Sequence, residues 1–300
     1  MLTRLAVLVL AAPTWSDPSP HQVRMVTVEP GVQLEVLDWG GTGRPVVLLA
    51  GYLSAHAYDD LAPRLAETHH VYGISRRGYG GSSQPETGYT AARSADDVLR
   101  VLEELNLRGV ILAGHSWGGQ DLSTIGARGA ERVAALVYIN SAEDPTLTMA
   151  DYAIPKGQVE PAPRPPQPAP DMSSPAAYRA WQMRVHGIAF PEAELRQTFE
   201  VREDGSLGAG RPQKRIRDAV FAGRVKPEYA KIQMPVVALF ATGGAMDDPV
   251  GKRHRDDLKK GVPHARIVDV PGANFYLFAS HPEIVIREIR ALTTTLPTLR

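Results

Sequence analysis

Short apolar runs punctuate the chain at regular intervals. Val23 to Val28 and Val32 to Asp38 alternate or carry β-branched residues around Pro30-Gly31, which predicts an antiparallel hairpin. Six solid runs follow: Val46–Leu49, Val71–Ile74, Val110–Ala113, Ala134–Ile139, Val236–Phe240 and Arg266–Val270. Runs this short and this apolar predict strands buried on both faces. Helical periods lie between them. Ser94 to Leu107 has apolar residues at 98, 99, 101, 102 and 105, with Asp96 and Asp97 in the predicted first turn. Trp117 to Arg128, Pro249 to Lys260 and Pro282 to Leu292 are further helix segments. Such alternation predicts an α/β fold: a mostly parallel central sheet of about eight strands flanked by helices, with the hairpin at one edge.

The alternation breaks between 145 and 231. Eight prolines crowd residues 155–175, a stiff strap in composition. Helices are expected at Ala176–Val185, Glu192–Phe199 and Pro212–Ala222, and strand-type runs resume afterwards. This predicts a Pro-rich strap and helical cap over 145–231, inserted into a core formed by 21–144 and 232–300. Residues 1–16 carry one basic residue and then Leu5 to Ala12, the layout of a short secretory signal. The expectation is a secreted or periplasmic protein, and otherwise a cytoplasmic one. The apolar run falls short of the about 20 residues that span a bilayer, so no stable membrane insertion is expected.

Composition narrows the chemistry. The 33 basic and 33 acidic residues cancel, which gives no support to nucleic-acid binding. The chain has no cysteine, which excludes disulfides, thiolate catalysis and Cys-ligated metal sites. Neither a metal-ligand motif nor a dinucleotide fingerprint is present, so no cofactor and no metal is expected. The sequence does not give the oligomeric state.

One stretch points to a reaction. Gly114-His115-Ser116-Trp117-Gly118-Gly119 follows a predicted strand and opens a predicted helix. That is the context of a nucleophile elbow, in which glycines clear a sharp turn and leave the serine Oγ displayed. Serine is a poor nucleophile alone. It needs a base, an orienter for the base, and donors aimed at the developing oxyanion.

With these residues in view, the chain resembles the α/β-hydrolase superfamily from about 30 to 297. Leu48-Leu-Ala-Gly51-Tyr52 is similar to the oxyanion loop, and Ser75-Arg-Arg-Gly-Tyr-Gly-Gly-Ser82 to the turn after the next strand. The resemblance implies a capped serine esterase with Ser116 as nucleophile and the backbone N–H groups of Tyr52 and Trp117 as oxyanion donors. Arg77, Gly78 and Gly80 would be structural, as would His115. The acid would be Asp247, or Asp248, although Asp248 also suits a helix N-cap. Asn140, Glu143 and Asp144 mark an alternative position for the acid. The expected histidine is missing. In Pro271-Gly-Ala-Asn-Phe-Tyr276 its position is held by Phe275, which has no lone pair for base work.

Three readings follow: an active enzyme altered at 275, a non-catalytic pseudo-hydrolase that binds a small molecule, or an enzyme using another histidine. His56, beside the oxyanion loop, is the candidate substitute; His186 and His281 are weaker ones. The expected partner is a small-molecule ester, with lactones and carbon–carbon bond substrates as alternatives. A serine at the elbow sets the chain apart from aspartate-nucleophile dehalogenases and epoxide hydrolases. Gly51, Tyr178, Trp181 and Tyr276, with Phe190, are candidate substrate-binding residues, although such aromatics also serve as ordinary packing.

Overall fold

A computed structural model describes residues 15–147, 167–242 and 249–299. The predicted signal segment up to residue 14, the strap from 148 to 166, and both Asp247 and Asp248 lie outside the described residues.

The first strands are β1 (Gln22–Glu29), β2 (Val32–Gly40) and β3 (Pro45–Ala50). After the short α1 (Ala62–Leu65) come β4 (His70–Ile74), α2 (Ala91–Glu104), β5 (Val110–His115), α3 (Gly118–Ala127) and β6 (Val133–Ile139). The inserted segment holds α4 (Pro175–His186), α5 (Glu192–Thr198), β7 (Phe199–Val201), β8 (Leu207–Gly210) and α6 (Lys214–Ala222). The chain returns through β9 (Val236–Thr242), α7 (Pro249–Gly261), β10 (Arg266–Pro271), α8 (Leu277–Ser280) and α9 (Pro282–Thr295).

The main sheet has eight strands in the order β1-β2-β4-β3-β5-β6-β9-β10. β1 with β2 and β2 with β4 are antiparallel, and the remaining pairs are parallel. The central apolar runs are buried because helices cover both faces, whereas Arg266–Val270 lies in the edge strand β10, in which only Val270 is buried. Val46, Leu48 and Ile111 face one core layer, while Val47, Leu49 and Leu112 face the other. The order reverses between β4-β3 and β3-β5, and ligands of open α/β sheets gather beyond the carboxyl ends of strands at such a reversal. Ala50 pairs with His115, so the loops leaving β3 and β5 start side by side there.

Two expectations change. α2 begins at Ala91, where the Thr90 hydroxyl caps it by accepting from the Arg93 N–H. Asp96 and Asp97 therefore lie beyond the first turn, and Asp97 is buried. The inserted segment, expected to be helical, also contains the β7–β8 hairpin. Strands of three and four residues are too short to show a period, and the turn between them is closed by Asp204 Oδ1 accepting from the Ser206 N–H. Among the described residues, no helix is long and apolar enough to cross a membrane.

Candidate functional site

Ser116 is the link between β5 and α3. Its φ of +52° is left-handed, a conformation L residues rarely hold outside an over-determined site. Missing side chains hold it there. A Cβ at Gly118 would stand 2.5 Å from the Leu49 carbonyl oxygen, and one at Gly119 would stand 2.0 Å from that of Ser141. Gly51, with φ of +32°, lies against the same turn. A Cβ on it would reach 2.8 Å from Ser116 Cβ and 3.1 Å from the Trp117 nitrogen. The backbone after β3 and the start of α3 are thus brought together at Ser116. Neither the Tyr52 N–H nor the Trp117 N–H donates to an acceptor among the described residues. Free N–H groups at a helix N-terminus are suited to a developing negative charge.

Aromatic rings wall the approach. Tyr52 and Trp117 lie 4.7 Å apart between ring centroids, and Phe221 of α6 lies 5.8 Å from Trp117. Trp117 is buried with Tyr79, Tyr89, Ile216 and Val220, which joins the inserted segment to the elbow. Tyr276 lies 5.4 Å from the His115 ring and 4.8 Å from Phe190. Trp181 is buried and its Nε1–H donates to the Pro168 carbonyl, while Tyr178 meets Trp181 at a tilt and Phe199 edge-on, with centroids 5.3 and 5.1 Å away. These contacts of Tyr178 and Trp181 are packing within the inserted segment.

Position 275 is held through its backbone. His115 Nε2 lies 2.9 Å from the Phe275 carbonyl oxygen, and Asn140 Nδ2 donates to the same oxygen at 3.3 Å. Burial pushes the His115 imidazole down to about 4, with the Phe275 carbonyl opposing the shift, so the ring is neutral near pH 7 and donates from Nε2. Asn140 Oδ1 accepts from the Ala241 N–H, which stitches β6, β9 and the 271–276 loop together. Phe275 lines a small pocket with Asn140, Glu143, Phe240 and His254. Burial raises the Glu143 carboxyl above its usual range. Asp144 Oδ1 accepts from the Thr146 N–H and hydroxyl, and the Asp144 N–H donates to His254 Nδ1.

Ser116 Oγ itself has no hydrogen-bond partner among the described residues. His281 Nδ1 lies 3.0 Å from Ser280 Oγ, and the His186 ring packs 5.1 Å from Trp181. The expectation for His56 needs correction. Its Nδ1 lies 3.2 Å from Asp59 Oδ2 and 3.1 Å from Asp17 Oδ2, and its Nε2 lies 3.7 Å from Glu35 Oε1. Burial alone would lower its pKa, but hydrogen bonds and charge from Asp59 and Glu35 outweigh it and push the ring to about 10. A buried imidazolium with its nitrogens turned to carboxylates cannot take a proton from Ser116.

Glu194 escapes a reading of the sequence alone, because its partner lies 140 residues away. This buried α5 carboxylate accepts from the Ser54 N–H and hydroxyl and from Thr198 Oγ1, tying the inserted segment to the loop that carries Tyr52. Burial raises its pKa to about 7 against the pull of those donors and of His56. The folded state therefore holds a proton that the unfolded chain releases near pH 4.5. Stability from this group is complete below about pH 4.5 and falls as pH rises to about 7. The size of the fall is about 3 kcal/mol. Glu194→Gln should flatten that slope, which urea midpoints at pH 5 and pH 8 would show. An unchanged difference between the two midpoints would refute the assignment.

A model of the alpha/beta hydrolase family matches residues 46–288. The chain belongs to the alpha/beta hydrolase family. It is 36% identical over 129 residues to a non-heme chloroperoxidase of Streptomyces lividans, a stretch covering 42% of this chain and 47% of that protein. The chain thus spans about half the length of that relative. Over 256 residues it is 25% identical to the 2-(acetamidomethylene)succinate hydrolase of Mesorhizobium japonicum, covering 83% of this chain and 87% of that one. A crystal structure of E-2-(acetamidomethylene)succinate hydrolase superposes with a TM-score of 0.73 at 21% identity, covering 91% of this chain and 99% of that one. A Rhodococcus esterase superposes at 0.64 and 21% identity, covering 92% and 99%. At those identities the likeness is one of fold.

Proposed function

We propose that this family member is a serine hydrolase of carboxylic esters whose turnover is limited by the absence of a base at position 275. The carrying observation is Ser116, held left-handed beside two N–H groups that, among the described residues, have no acceptor, while its Oγ has no histidine partner there. In this reading Ser116 Oγ attacks the carbonyl carbon, and the oxyanion accepts from the Tyr52 and Trp117 N–H groups. The alcohol then leaves, and the acyl group stays on Ser116. The serine proton passes to water rather than to an imidazole, so formation of the acyl-enzyme and its hydrolysis are both slow. Donors and binding alone sustain roughly 10³–10⁴-fold acceleration over water when a triad member is missing. The segment from α4 to α6 acts as the cap, through the Phe221–Trp117 and Glu194–Ser54 contacts.

The unpartnered Oγ also favours a second reading, a non-catalytic binder of small acyl compounds on the same scaffold. A fluorophosphonate probe separates the two. The hydrolase reading expects slow labelling of the intact chain, none of Ser116→Ala, and a p-nitrophenyl ester burst of one equivalent followed by a nearly stalled phase. Absence of labelling on folded protein would leave the binder.

A further inference from the structure

Four side chains from two separate segments converge beside the turn that follows the Gly51–Ser54 loop. Asp17 and His21 precede β1, while His56 and Asp59 belong to the helical turn Ala55–Tyr58 and its cap. His21 Nδ1 lies 3.0 Å from Asp59 Oδ1, and His21 Nε2 lies 3.7 Å from Asp17 Oδ2. His56 Nδ1 lies 3.2 Å from Asp59 Oδ2 and 3.1 Å from Asp17 Oδ2. One ligand atom can be taken from each residue so that all four lie within 4.8 Å of one another. A tetrahedral zinc ion with bonds of about 2.0–2.2 Å spaces its ligand atoms about 3.3–3.6 Å apart.

We propose that Asp17, His21, His56 and Asp59 form a closed structural site for a divalent transition cation of the zinc type, clamping residues 17–21 to the turn at 55–59.

Two imidazoles with two carboxylates suit zinc better than calcium or magnesium, which prefer all-oxygen sets. Four protein ligands leave no open position, the mark of a structural rather than a catalytic ion. Asp17 Oδ2 is a buried atom that accepts no aligned hydrogen bond, although His56 Nδ1 lies 3.1 Å away; a bound cation would displace the His56 proton and take both atoms as ligands. The surrounding groups orient the ligands. Ser19 Oγ and Trp39 Nε1 donate to Asp59 Oδ1 at 2.6 and 3.2 Å, and Glu35 Oε1 faces His56 Nε2, the nitrogen turned away from Asp17 and Asp59. A carboxylate behind a ligating histidine fixes its ring and strengthens it as a ligand. Trp39 closes one side, 5.6 Å from the His21 ring. No sequence motif signals the set, because its members are drawn from positions 17 to 59 without a regular spacing.

The test uses the full chain, stripped with a chelator and titrated at pH 8 with ZnCl2 and CoCl2. The expected result is one cation per chain, a visible cobalt spectrum of tetrahedral intensity, and a Tm rise of about 5 °C at a hundredfold excess over Kd. Asp17→Asn and His21→Gln, outside the sheet core, should keep the far-UV circular dichroism and weaken binding at least about tenfold. Failure of the folded, stripped chain to take up either cation would overturn the proposal. So would an octahedral cobalt spectrum, or uptake unchanged in both variants. Should a variant misfold, the wild-type stoichiometry and cobalt spectrum decide the matter alone. None of these readouts depends on Ser116.

Discussion

Phe275→His is expected to raise p-nitrophenyl ester turnover by about 10²-fold or more, within the range of 10²–10⁴ that a positioned general base contributes. The backbone is already prepared for it. The Phe275 carbonyl oxygen is held by His115 Nε2 and Asn140 Nδ2, and neither contact uses the phenyl ring. A histidine would inherit that anchoring and occupy a similar volume. It would share the pocket lined by Asn140, Glu143 and His254. Two features separate base restoration from a general improvement in binding. The gain should fall on kcat with little change in KM, because a base acts in the transition state. The variant should also acquire a rise in rate centred near the imidazole range, about pH 6.5, that the parent lacks. The gain should vanish in Ser116→Ala/Phe275→His. A folded Phe275→His protein that labels and turns over like the parent would remove the missing base as the cause of slow turnover.

What the sequence exposed and what it hid follow from range. The central strands were legible because their runs are apolar on both faces, as at Val46–Leu49 and Val110–Ala113, and the edge hairpin because its residues alternate around Pro30-Gly31. The elbow was legible because Gly114, Ser116, Gly118 and Gly119 are neighbours in sequence, and each glycine answers a close backbone approach that a Cβ would block. Position 275 was readable from its place between β10 and the Pro282–Glu283 helix start. Contacts between distant segments were not readable. His56 is adjacent in sequence to the oxyanion loop, which suggested a base, yet Asp17, Glu35 and Asp59 surround it in space. Glu194 meets Ser54 across 140 residues. Asp97 fits an acidic first turn by position, but the helix starts earlier, at Ala91, and Arg77 takes its carboxylate.

That last contact should carry a large share of the stability. Arg77 Nε donates to Asp97 Oδ2 and Nη2 to Asp97 Oδ1, both at 2.7 Å, with Nη1 3.0 Å from Glu29 Oε1. The pair is 3% and 2% exposed, so water cannot replace either partner. Gly88 makes room for it: a Cβ there would stand 2.2 Å from Arg77 Nη1. Asp97→Ala would leave a guanidinium that cannot shed its charge, with Glu29 and the Thr87 carbonyl as its remaining partners. The expected loss is about 3–5 kcal/mol, read as a lower urea midpoint at unchanged m. The loss belongs to the stranded charge rather than to the missing attraction, so Arg77→Met/Asp97→Leu should cost less than Asp97→Ala alone. A single-variant cost below about 1 kcal/mol, the range of exposed pairs, would mean that Arg77 reaches water when Asp97 is gone. The consequence extends to the elbow. The turn that Arg77 fixes also carries Tyr79, which is buried against Trp117. Loosening the turn should therefore slow fluorophosphonate labelling of Ser116 even in Asp97→Ala protein that remains folded, and the double variant should recover it.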